Sequence, residues 1–69
     1  MKITIYELLR LIKDNKAPYS IIYKKGYYRY SKPNRDYYGE YNSLFGDFYY
    51  ILDMLDEEVE IVKLKESDD

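Results

Sequence analysis

The first hydrophobic pattern in the chain has helical spacing. Ile5, Leu8, Leu9 and Ile12 make one apolar stripe, while Glu7, Arg10, Lys13 and Asp14 fall on the opposite side. Thr4 followed by Glu7 forms a capping box, in which the hydroxyl accepts from the Glu7 amide and the carboxylate reaches back to Thr4. Ile3 and Leu8 flank it as a hydrophobic staple. The spacing predicts a first helix over about residues 5–15, with Asn15 as its C-terminal residue, because Pro18 cannot continue it.

After Pro18 the period shortens. Tyr19, Ser20, Ile21, Ile22 and Tyr23 read as a strand, Lys24-Lys25-Gly26 as a tight turn with Gly26 available for positive φ, and Tyr27-Tyr28-Arg29-Tyr30 as the returning strand. Residues 19–31 are thus a β-hairpin. A polar loop, Ser31 to Asp36, leads to a short third strand over Tyr37–Tyr41, with Gly39 as a weak point or bulge. Ser43 is a suitable N-cap for a second helix over roughly 44–55, whose apolar stripe is Leu44, Phe45, Phe48, Ile51, Leu52 and Leu55. Val59 to Leu64 reads as a final strand. The element order is α-β-β-β-α-β, an α+β fold in which an antiparallel or mixed sheet has both helices on one face and a tyrosine- and charge-rich face toward water.

With 69 residues there is room for one core, so residues 1–65 are expected to form a single domain and residues 66–69 a frayed acidic tail. So small a core needs reinforcement. The chain has no Cys and no His, which removes disulfides and leaves a transition-metal site without its usual ligands. The missing Cys fits a reducing cytoplasm. Charges at Glu7, Arg10 and Lys13 interrupt the N-terminal apolar pattern before a signal-peptide core can form, and no apolar run approaches the ~20 residues that span a bilayer. A cytoplasmic protein with no membrane association is expected.

Catalytic equipment is sparse. Nucleophile-plus-imidazole arrangements need Cys or His, and Gly26, Gly39 and Gly46 are isolated, with none opening a phosphate-binding loop. Asp56, Glu57 and Glu58 sit at a helix-to-strand turn, where solvated acids are common. The expectation is a non-enzymatic protein with no cofactor.

Charge distribution adds more than the net value of −2. Residues 1–35 carry nine Lys/Arg against two acids, giving +7, and residues 36–69 carry two Lys against eleven acids, giving −9. Such a division suits a basic face for an anionic partner, an acidic face for a cationic one, or two halves that attract each other on folding. The basic half concentrates Lys24, Lys25, Tyr27, Tyr28, Arg29, Tyr30, Lys32 and Arg35 in twelve residues. Strand alternation places Tyr28 and Tyr30 on one face and Tyr27 and Arg29 on the other, so one pair faces away from the core. Tyr and Arg are the side chains most enriched at protein-interface hot spots. The same residues could stack on unpaired bases and neutralise phosphates, although no known nucleic-acid-binding motif is present. The acidic half, with Asp36, Glu40, Asp47, Asp53, Asp56, Glu57, Glu58 and Glu60, has the makings of a phosphate mimic that occupies a nucleic-acid-binding groove.

The opening ITIYELLRLIKDNKAP, the tyrosine-rich hairpin and the closing LDEEVEIV resemble a family of short uncharacterised proteins of phages and prophages from low-GC Gram-positive bacteria. Eleven Tyr beside abundant Lys, Ile, Asn and Asp suit the AT-rich codons of such a source. The resemblance covers most of the chain and rests on cap, turn and strand patterns rather than on catalytic residues. Tyr19 and Ser20 follow Pro18 where that family is expected to carry basic residues. It implies an accessory factor that binds and inhibits a host or bacterial defence protein such as a CRISPR effector. The alternatives are a nucleic-acid-binding module using hairpin 19–35 and a self-associating homo-oligomer.

Overall fold

The computed structural model describes residues 1–46 and 51–66. Strand β1 (Lys2–Thr4) leads directly into helix α1 (Ile5–Lys13). There follow β2 (Ser20–Tyr23), β3 (Gly26–Ser31), β4 (Asp36–Tyr38), the short helix α2 (Ile51–Met54) and β5 (Glu58–Lys63). The strands form one five-stranded, wholly antiparallel sheet in the order β1-β5-β2-β3-β4. The fold is α+β, as expected, with one strand more than the sequence pattern indicates. Lys2–Thr4 is too short for a period to register, and it becomes a strand because β5 pairs with it, Ile3 opposite Val59.

Helix α1 begins and ends with satisfied backbone groups. At its start, the capping box forms at Thr4 and Glu7, and the free N–H groups of Ile5 and Tyr6 donate to the carbonyls of Glu57 and Leu55 at 2.8 and 3.2 Å. The segment entering β5 is thereby fastened across the helix N-terminus. At its end, Lys16 N–H reaches Leu11 C=O and Asn15 N–H reaches Ile12 C=O, with Asn15 at φ 60°. This is a Schellman cap, with Asn taking the left-handed position that favours Gly or Asn. The helix therefore stops at Lys13, with Asp14 as its cap, two residues short of the expected end.

The core lies between α1 and one face of the sheet. Ile5, Leu8 and Ile12 from the helix meet Ile21, Tyr23, Tyr28, Tyr37 and Val59 from the strands, with Leu44 and Phe45 closing one end. Ile51, Met54 and Leu55 pack against its margin, whereas Leu52 is exposed. Tyr37 is the largest fully buried side chain among the described residues. Its hydroxyl donates to the Pro18 carbonyl at 2.5 Å, and its ring lies 5.1 Å from that of Tyr30. Burial pushes the Tyr37 phenol well above its ordinary pKa, so it stays a hydrogen-bond donor.

The second helix is shorter than its apolar stripe indicates. Ser43 does not cap a helix from residue 44. It bridges to Tyr38, Leu44 N–H donates to Tyr37 C=O at 2.7 Å, and Phe45 N–H donates to the Asp36 carboxylate at 3.0 Å. The backbone of 43–45 is thus occupied along the outer edge of β4, which leaves Leu44 and Phe45 buried without being helical. Phe48 and the middle of the expected helix lie outside the described residues. The third strand ends at Tyr38, because Gly39 N–H turns back to the Asn42 carbonyl.

The hairpin turn also departs from expectation. Its loop is Lys24-Lys25 alone, with Tyr23 opposite Gly26, and the positive φ values fall on Lys24 (47°) and Lys25 (67°) rather than on Gly26. Two consecutive left-handed residues form the primed turn that suits the twist of a two-residue hairpin, normally filled by Asn-Gly. Gly26 is needed for a different reason: a Cβ there would lie 3.0 Å from the Tyr28 ring and 3.2 Å from the Tyr23 carbonyl oxygen. Left-handed backbone costs a non-glycine residue ~1–2 kcal/mol, partly offset by the greater freedom of glycine in the unfolded chain. Lys25→Gly is accordingly expected to stabilise the protein by roughly 0.5–1 kcal/mol in urea unfolding, and Gly26→Ala to destabilise it.

Candidate functional site

The register of β2 and β3 decides which hairpin side chains are available. Ile21 lies opposite Tyr28, and Ile21 is fully buried, so Tyr28 points into the core and Tyr30 follows it two residues on. Tyr27 and Arg29 therefore occupy the outer face. Tyr28 is only 8% exposed, and its ring passes between two residues that lack a Cβ, Gly26 and Gly39, whose Cβ positions would each fall 3.0 Å from it. The Tyr28 hydroxyl reaches toward the Asn42 side chain at 3.4 Å. Tyr30 is half-buried against Tyr37. Of the eight hairpin residues singled out in the sequence, these two are structural.

The remaining six do not form one patch. Lys24 and Lys25 lie in the turn at one end of β3, and Lys32 and Arg35 lie in the turn between β3 and β4 at the other. The six residues of β3 separate the two turns by about 20 Å at the rise of an extended strand. Lys24 is engaged, pairing with Glu57 at 3.4 Å and resting 5.4 Å above the Tyr23 ring. The Tyr23 hydroxyl also donates to Glu57. Accepting that bond holds the Glu57 carboxyl below its ordinary pKa, while burial pushes the Tyr23 phenol up. This cluster ties the hairpin tip to the start of β5.

The acidic residues are likewise dispersed. Asp36 accepts from the backbone N–H groups of Tyr37 and Phe45 and is a structural bracket. Glu57 belongs to the Tyr23–Lys24 cluster. Glu58 and Glu60 stand on β5 opposite Thr4 and Lys2, Glu40 lies in the turn after β4, and Asp53 and Asp56 are exposed at α2. Asp47 lies outside the described residues. Placing acidic β5 between β1 and β2 brings the two oppositely charged halves of the chain together inside one sheet.

What the fold does assemble is an aromatic groove on the outer side of the hairpin. Strand β4 pairs with β3 only from Arg29 to Ser31, so Gly26 to Tyr28 have no partner in that ladder. The turn at Gly39–Asn42 packs against the Tyr28 ring without pairing with the backbone of this stretch, and an open groove of about 750 Å³ lies beside it. Tyr27, Arg29, Tyr38 and Tyr41 line it with Lys25 and Glu40. Tyr27 and Tyr38 are 45% and 44% exposed, Tyr41 is 91% exposed, and the Arg29 guanidinium lies 5.8 Å from the Tyr27 ring centre. Tyr38 and Tyr41 are additions to the residues expected from sequence. Alternation across Tyr37-Tyr38 requires one of that pair to face out, a signal present in the sequence but lacking a register to resolve it.

Among the described residues no group of three metal-ligating side chains converges, and no helix is long and apolar enough to cross a membrane. No protein-family model, curated protein or solved structure matches this chain.

The two faces of β3 make opposite predictions. Tyr28→Ala removes a packed core ring and is expected to cost about 3–5 kcal/mol, enough to unfold so small a domain. Tyr27→Ala, one residue away, is expected to change the urea midpoint by less than about 0.5 kcal/mol equivalent. Equal destabilisation by the two variants would contradict the register.

Proposed function

We propose that this protein is a small non-enzymatic binding module that engages a partner protein through the outer face of its sheet. The observation that carries this reading is the groove in which Tyr27, Tyr38 and Tyr41 stand exposed around Arg29. Exposed tyrosines on a rigid sheet offer large contact area with little side-chain entropy to lose, and an arginine stacked on one of them is already oriented. A module of this size has little means of acting except by occupying a surface. Combined with the resemblance to small phage and prophage proteins, that makes inhibition of a host or defence protein, such as a CRISPR effector, the biological role we propose.

Recognition of nucleic acid through the same hairpin is the weaker reading. The basic side chains lie at opposite ends of β3, and Glu40 borders the groove that bases would have to enter. An extended polyanion needs a continuous positive track.

Capture experiments separate the two. Tagged protein is expected to retain one stoichiometric protein partner from a low-GC Gram-positive lysate after nuclease treatment, and a folded Tyr27→Ala/Arg29→Ala variant is expected to lose it. Binding should weaken only modestly as salt rises, because the contact is chiefly aromatic. Release of every partner by nuclease, or a steep linear fall of log affinity with log salt, would favour nucleic acid instead.

A further inference from the structure

Beside the groove, the outer face holds a hydroxyl that the fold leaves unused. Ser20 alternates with the core residues Ile21 and Tyr23, as does exposed Ile22, so it belongs to the outer face. It is nevertheless fully buried, and its hydroxyl has no hydrogen-bond partner. Buried hydroxyls are ordinarily bonded, and an orphan of this kind marks a place where a partner is missing.

The surroundings of Ser20 say what that partner is. Arg29 on β3 and Lys63 on β5 are its direct neighbours across the sheet, one on each side. Lys63 owes that place to a bulge. Ile21 faces Ile61 but Ser20 faces Lys63, so Val62 is an extra residue in β5, and without it an apolar side chain would stand opposite Ser20. Bulges commonly re-aim side chains in this way. Tyr27 lies diagonally on the same face. Its phenol is held below its ordinary pKa by the Ser20 hydroxyl first, with Arg29 and Lys63 adding their charges, yet Tyr27 and Ser20 make no hydrogen bond of normal geometry. Among the described residues the ion pair formed is Lys24 with Glu57, and none of their acids pairs with Arg29 or Lys63. Of the two acids on this face of β5, Glu58 stands opposite Thr4, and Glu60 opposite Lys2 and Ile22, neither opposite Ser20.

We propose that Ser20, Tyr27, Arg29 and Lys63 form a binding site for a single phosphate monoester group. The register sets two hydroxyl donors, a guanidinium fork and an ammonium side by side on one face, with two positive charges. A phosphate monoester carries about −1.5 to −2 charge and three acceptor oxygens at neutral pH, a closer match than a carboxylate with one charge and two oxygens. An extended nucleic-acid backbone fits less well, since Glu58 and Glu60 lie along the same face. The inference deepens the proposed use of the outer face: a phosphorylated side chain on the partner would seat here while the tyrosines of the groove hold the surrounding surface.

The test is an amide NMR titration in phosphate-free buffer with three probes: inorganic phosphate, a short phosphoserine peptide and a single-stranded oligothymidine. The expected result is saturable shifts of the Ser20, Arg29 and Lys63 amides with inorganic phosphate, weakened about tenfold or more by Arg29→Ala and by Lys63→Ala. Ser20→Ala supplies a readout that a structural role would not give. It is expected to raise the unfolding midpoint of the free protein, because an orphaned hydroxyl is removed, while lowering phosphate affinity. Tighter binding of the peptide than of free phosphate assigns the site to a phosphorylated side chain, and the reverse assigns it to a small phosphate compound; both retain the site. Shifts that persist in the Arg29 and Lys63 variants, or no saturation, would overturn it, and so would an oligonucleotide that binds tighter than either probe. Tyr27 and Arg29 belong to both the groove and the site, so Lys63→Ala, outside the groove, separates the two readings: capture of the partner by a Lys63→Ala protein that no longer binds phosphate leaves the protein-binding reading standing.

Discussion

The pairing of Ile21 with Tyr28 is the contact on which the rest of the molecule depends. A two-residue loop at Lys24-Lys25 closes the hairpin with Tyr23 opposite Gly26, and every later pair on β2 and β3 follows from that closure. Because side chains alternate strictly along a strand, one residue of slippage would move Tyr27 and Arg29 into the core and Tyr28 and Tyr30 to the surface. The fold resists this slip in two ways. The Tyr28 ring occupies space that exists only because Gly26 and Gly39 lack a Cβ, and Tyr23 at the hairpin tip is tied to Glu57. The left-handed lysines are the conformational cost of that register.

A second constraint shapes the surface. Tyr37 and Asp36 hold the residues after β4 in place, through the bond from the Tyr37 phenol to Pro18 and the Asp36 carboxylate that accepts from Tyr37 and Phe45. Residues 43–45 are thereby committed to the outer edge of β4, while β4 leaves the backbone of Gly26 to Tyr28 without a partner on that side. The aromatic groove is the space that results. Its position follows from core packing, because Tyr28 and Gly39, which lie beside it, are fixed by the same contacts.

Elements governed by local rules were legible in the sequence. The capping box at Thr4 and Glu7, the apolar stripe of α1 and the hairpin between Ile21 and Tyr28 each depend on neighbours a few residues away, and the α+β class follows from them. What the sequence did not disclose depends on contacts far along the chain. Strand β1 exists because β5 pairs with it, the segment at Ser43–Phe45 is drawn to β4 although its stripe is helical, and Lys63 reaches Ser20 only through sheet order and a bulge. The candidate site was half legible for the same reason. Tyr27 and Arg29 are adjacent in the hairpin, whereas Tyr38, Tyr41, Ser20 and Lys63 join them only once the sheet is assembled. The alternation rule offered two faces for the hairpin tyrosines, and only the register chose between them.

In the function proposed, the outer face of the sheet, and not the helical side, meets the partner. Limited nitration of tyrosines, mapped by mass spectrometry with and without the captured partner, tests it most directly, because exposed tyrosines lie on both sides of the molecule. In the free protein Tyr6, Tyr27, Tyr38 and Tyr41 should react, while buried Tyr23, Tyr28 and Tyr37 should not. On complex formation, protection is predicted at Tyr27, Tyr38 and Tyr41, with Tyr6 on α1 still reactive. Protection of Tyr6 with continued reaction at Tyr27 and Tyr38 would contradict the account and move the interface to the helix.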